Sequence, residues 1–137
     1  MDIPEAVNKA LDEYDKAVLN DKRIQRLNQK VEDGRAKYPD ALKIAGTSGR
    51  IAGRIIAGLV RELFPGGQIS EEDAGQLLRP LLRRNYEFVT GVTEKVQTAL
   101  NQQARIGLKA IIPKYDTDRE SGLIKELSRR SFEDGFS

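Results

Sequence analysis

From Ser70 to Ala104 the apolar residues recur at three- and four-residue steps: Ala74, Leu77, Leu78, Leu81, Leu82, Tyr86, Val89, Val92, Val96 and Ala99. That is the period of a helix with one buried face. Ser70 offers a hydroxyl cap, and Glu71, Glu72 and Asp73 place acids at the positive end of the helix dipole. At about 1.5 Å per residue the segment reaches on the order of 50 Å, so it sets the length of whatever packs on it. Pro80 lies inside the pattern. It cannot donate to the carbonyl four residues back and disfavours helical geometry at Arg79, so the reading is a kink there, or two helices joined at Arg79-Pro80.

The same period marks the rest of the chain. Asp2 with Glu5, helped by Pro4, starts a first helix over about 3 to 19, with Val7, Ala10, Leu11, Tyr14, Ala17 and Val18 as its stripe. Asn20-Asp21 marks a break or a new cap. Ile24, Leu27 and Val31 carry a second helix to about 32, where Asp33-Gly34 ends it. A third helix starts at Tyr38-Pro39-Asp40 and stops at Phe64-Pro65-Gly66-Gly67. Its apolar set is Ala41, Leu42, Ala45, Ala52, Ile55, Ile56, Leu59, Val60 and Leu63. Gly46, Gly49, Gly53 and Gly58 weaken that helix by about 1 kcal/mol each against alanine. The first three share a side, which predicts close approach of another helix backbone; a break near Gly46-Thr47-Ser48-Gly49 is the alternative. Ile106 to Pro113 reads as an extended crossing segment or one short strand. A final helix follows from Asp116 or Thr117, with Leu123, Ile124 and Leu127 on its buried side, and Ser131-Phe132-Glu133-Asp134 resembles another helix start. The expected architecture is therefore all-α: an elongated bundle of about five helices in one domain over 1–137, with a long, Pro-kinked central helix.

Composition narrows the chemistry. The chain has 137 residues, 39% of them hydrophobic and 32% charged, with no Trp and four Phe, which suits one lean core. No apolar run approaches the roughly 20 residues of a membrane span, and Met1 to Glu5 do not resemble a secretory leader. Cysteine and histidine are absent, which excludes disulfides, Cys/His zinc sites, imidazole bases and thiolate nucleophiles from this chain. The net charge is +2, but residues 41–114 hold eleven Lys/Arg against six Asp/Glu. A basic middle fits a solvated helix surface, an acidic partner or nucleic acid.

The glycine-rich run Gly46 to Arg54 lacks the Lys-Ser/Thr and the preceding strand of a phosphate loop, so helix packing accounts for it better. Glu71 to Asp73, and Asp116, Asp118 and Glu120, lack the loop glycine and spacing of a calcium hand. No catalytic, cofactor or metal set can be named. The sharpest cluster is Arg79, Arg83 and Arg84 with Tyr86, to which Arg50 and Arg54 add. Arginine forks grip phosphate or carboxylate, yet ion pairs with Glu87 or with the first helix would equally explain them. One nearby aromatic is too few for a base-stacking platform.

Several stretches resemble, in order, the amino-terminal half of the minor capsid or head morphogenesis proteins of phages and prophages of Gram-positive bacteria, a family similar in places to the Mu F-like proteins. They are Lys30-Val31-Glu32-Asp33-Gly34 with Ala36, Tyr38, Asp40 and Ala41; Asn85-Tyr86-Glu87; Val96 to Asn101; Gly107-Leu108-Lys109-Ala110 with Pro113; and Asp118-Arg119 with Gly122-Leu123. Members of that family continue into a Cys-rich, His-containing second half that looks metal-binding. This chain has neither residue type, so no role of that half carries over. The resemblance implies a non-enzymatic virion-assembly protein, the amino-terminal portion of a longer one. It would be made in the bacterial cytoplasm and placed in the phage head, meeting the portal protein, the major capsid protein or packaged DNA. Separately, exposed apolar faces on a lean helical chain would suit self-association into homo-oligomers. The alternative is a helical nucleic-acid-binding module using Arg79, Arg83, Arg84, Arg50 and Arg54.

Overall fold

A computed structural model describes residues 2–111. Within them the chain forms four helices and no strand: α1 (Ile3–Asn20), α2 (Lys22–Glu32), α3 (Tyr38–Leu63) and α4 (Glu71–Ile111). The expected fifth helix, from Asp116 or Thr117, lies outside the described residues, as do the Ser131 start and the end of the 106–113 segment.

The start and stop signals sit where side-chain chemistry puts them. The Asp2 carboxylate accepts from the Glu5 N–H at 2.8 Å, and Asp21 accepts from both Arg23 N–H and Ile24 N–H at 2.9 and 3.0 Å. Asp21 thus separates α1 from α2 with a single residue. At the other end of α2, Gly34 takes φ +69°, the left-handed region, with its N–H on the Val31 carbonyl and the Arg35 N–H on the Lys30 carbonyl. This pair of reversed bonds closes the helix in a Schellman motif. The Asp40 carboxylate accepts from the Lys37 N–H at 2.9 Å to open α3, and Ser70 Oγ accepts from the Asp73 N–H at 3.2 Å to open α4.

α4 is unbroken through Arg79-Pro80 and continues through Ile106 to Ile111, so of the two readings at Pro80 the two-helix junction is corrected, and no crossing strand or extended segment occupies 106–111. Pro80 removes one backbone bond and crowds the carbonyl four residues back, at about 3 kcal/mol, and burial of Leu77 and Leu81 on either side of it offsets that cost. The glycines of α3 are also not a close-approach stripe. A Cβ placed on Gly46, Gly49, Gly53 or Gly58 would meet nothing within 4 Å. Their side of α3 is open, and α3 is nevertheless continuous from Tyr38 to Leu63.

α4 packs against α1, α2 and α3, and α3 is its largest partner. Two apolar clusters result. One joins Ala6, Val7, Ala10, Tyr14 and Val18 of α1 with Ile24, Ala52, Leu59, Leu77 and Leu81. The other joins Val31, Ala36, Tyr38, Ala41, Ile44, Val92 and Val96. Phe88 packs against both, so the α4 seam runs Leu77, Leu81, Asn85, Phe88, Val92, Val96. Leu82 and Tyr86, expected on the buried stripe, are 52% and 70% exposed instead. The residue between the two clusters on that seam is polar, and the reason lies on α1. The Tyr14 hydroxyl donates to Asn85 Oδ1 at 2.9 Å. Burial pushes the Tyr14 phenol up to about 12; the Ser48 hydrogen bond lowers it, nearby Asp15 raises it, and Arg84 lowers it. Burial raises the Tyr38 phenol as well.

Candidate protein-docking surfaces

The six arginine and tyrosine positions singled out in the sequence do not converge. Arg79 lines a groove of about 680 Å³ between α1 and α4, with Ile3, Val7 and Leu11 opposite and Glu72 at hand. Arg84 is spent on α1, its Nη1 lying 3.1 Å from Asp15 Oδ2. Arg83 and Tyr86 are exposed on α4. Arg54 lines a smaller recess of about 260 Å³ between α1 and α3, where Glu13 and Glu62 accompany it. Arg50 lies in a third groove, between α2 and α3. A helix bundle separates residues from different helices into different inter-helix grooves, and a linear reading of charge cannot see that division.

The α2–α3 groove gathers five basic residues and has no acid in its lining. Its volume is about 710 Å³, and its lining includes Arg23, Arg26 and Lys30 from α2 and Lys43 and Arg50 from α3. Leu27, Leu42, Gly46 and Thr47 complete it. Lys30 reaches Asp40 at 3.6 Å, while Arg50 Nη2 touches Thr47 Oγ1 at 3.5 Å. Among the described residues Arg23, Arg26, Lys43 and Arg50 stand in no ion pair. Sequence reasoning caught Arg50 but missed its companions. Arg23, Arg26 and Lys30 recur at helical spacing on α2, and that signal was present. What the sequence lacked was the knowledge that α3 lays Lys43 and Arg50 alongside them.

Other chemistry finds little footing. Among the described residues no group of three or more carboxylates is arranged to hold a metal ion, and no helix is long and apolar enough to cross a membrane. The polar groups at the bundle centre are engaged in structural bonds: the Tyr14 hydroxyl donates to the half-buried Asn85, and Ser48 Oγ donates to the Ala45 carbonyl at 3.2 Å. A phenol held up near 12 stays protonated at neutral pH, which makes it a structural donor and a poor base. Of the residues behind the family resemblance, Val31, Ala36, Tyr38, Ala41 and Val96 belong to the second core cluster, and Asn85 takes the Tyr14 bond. Glu32 reaches across to Lys95 at 3.0 Å, and the Gly34 carbonyl accepts from Gln103 Nε2 at 2.9 Å, so the α2–α3 turn is tied to α4 at several points. Compared with family models, with curated proteins and with solved structures, the chain matches none.

Proposed function

We infer that this chain is a non-catalytic head-assembly protein of a phage or prophage, acting by docking its helical surface on the portal or the major capsid protein. The observation that carries this reading is the ordered resemblance between residues 30 and 123. Within the described residues, many of its positions fasten the α2–α3 turn onto α4. The exposed Tyr86 and Leu82 give α4 an apolar outer face of the kind that protein contacts bury.

The nucleic-acid reading built on Arg79, Arg83, Arg84, Arg50 and Arg54 is weakened by the geometry, because Arg79, Arg54 and Arg50 lie in three different grooves and Arg84 is already paired. The test of the assembly reading is to purify particles from the parent phage or induced prophage and identify their proteins by mass spectrometry. The chain's peptides should appear at stoichiometric levels with portal and capsid proteins. Their absence from particles would overturn the reading.

A further inference from the structure

The basic α2–α3 groove lies apart from Arg83 and Tyr86, and its composition says what fits it. The short Asp33–Lys37 connection and the Lys30–Asp40 contact beside it set α2 and α3 antiparallel. Arg23 to Lys30 on one wall and Lys43 to Arg50 on the other each span seven positions, or about 10 Å at 1.5 Å per residue. Two short rows of cations therefore face each other across a floor of Leu27 and Leu42, and Leu42 is an exposed large hydrophobic. At Gly46 one wall has no side chain, which lets a ligand backbone come close.

Nucleic acid meets only half of this description. A single strand would want aromatic rings to stack on, of which the lining has none, and a phosphate backbone offers nothing aliphatic to Leu27 and Leu42. An amphipathic helix with acids flanking a leucine-like stripe matches both the cations and the aliphatic floor. We propose that the α2–α3 groove, through Arg23, Arg26, Lys43 and Arg50 over Leu27 and Leu42, docks an acidic amphipathic helix of a partner protein. This deepens the assembly reading by naming the chemistry of the partner, and it rests on that reading only in holding that the chain acts by binding.

The test uses the full chain, a fluorescein-labelled peptide of about fifteen residues with glutamate and leucine at helical i, i+4 spacing, a scrambled peptide of the same composition, and a labelled oligo-dT strand. Anisotropy titrations should show the patterned peptide binding at least about tenfold more tightly than the scrambled one and than oligo-dT. Arg26→Glu with Lys43→Glu should weaken it by at least about tenfold, whereas Arg83→Glu on α4 should leave it unchanged. Circular dichroism of each variant establishes that the fold is kept. Leu42→Ser separates floor from charge: a selective loss for the patterned peptide is expected. Equal affinity for the scrambled peptide, tighter binding of oligo-dT, or insensitivity to the α2–α3 charge reversals would overturn the proposal. So would broadening of groove amide signals by a nitroxide on Ser137→Cys, in the otherwise cysteine-free chain, because the chain's own end would then fill the groove. Presence of the chain in particles together with failure of the peptide to bind would sink the groove and leave the assembly reading standing.

Discussion

Replacing Tyr14 with Phe removes one oxygen from the centre of the bundle and leaves the ring in place. The hydroxyl donates to Asn85 Oδ1 at 2.9 Å across 71 positions of chain, and Tyr14 is 1% exposed. Losing a neutral hydrogen bond costs about 1 kcal/mol, and leaving the half-buried Asn85 oxygen without its donor brings the total to about 1–2 kcal/mol. For a domain of this size that lowers Tm by about 3–8 °C. The effect also has a pH signature. The phenol titrates near 10.0 in the unfolded chain and near 12 in the folded one, so above pH 10 the unfolded state releases a proton that the folded state keeps. Folded protein then binds more protons than unfolded, and stability falls as pH rises, by about 1.4 kcal/mol for each unit between the two values. Tyr14→Phe lacks that loss. The stability gap between wild type and variant should hold steady to about pH 9.5 and shrink to near zero by about pH 11. Urea melts at a series of pH values, with a Tyr14→Phe/Asn85→Ala cycle at pH 7.5, read both quantities. A gap independent of pH to 11, or strictly additive single mutants, would refute the argument that a desolvated Tyr14–Asn85 bond joins α1 to α4.

Other substitutions test the helices one at a time. Gly53→Ala should raise stability by up to about 1 kcal/mol in urea melts, because nothing lies within 4 Å of the new methyl and alanine favours the helix. Gly34→Ala should lower it by about 1 kcal/mol, because φ +69° strains any residue with a Cβ. Asp21→Ala removes the acceptor of two α2 amides and should cost about 1 kcal/mol by thermal melt. Leu77→Ala, at a fully buried position on the α4 seam, should cost about 2–5 kcal/mol, the largest single loss of the set.

The helices were legible because their ends are written locally. Asp2, Asp21, Gly34, Asp40 and Ser70 act within a few residues of themselves, and a pattern of caps and periods reads such signals directly. The buried face of α4 was only partly legible. Tyr86 looked like core and Asn85 did not, because hydrophobicity alone ranks them that way. Their true placement depends on Tyr14, a partner 71 positions away that supplies the hydrogen bond making a half-buried amide acceptable on the seam. The glycines of α3 misled for a related reason: a shared side marks close packing only if a neighbour lies against that side, and here it is open. The candidate site was least legible. Charge along the chain pointed to Arg79, Arg83 and Arg84, whereas the acid-free groove draws on α2 and α3, which come together only through the fold.

The proposed head-assembly role is tested most sharply by sedimenting this chain, wild type and Arg26→Glu/Lys43→Glu, on a density gradient with the portal and major capsid proteins that the proposal requires its genome to encode. The wild-type chain should travel with one of those assemblies, and the charge-reversed chain, still folded, should stay near the top. Wild-type chain left at the top beside intact portal and capsid assemblies would contradict that role.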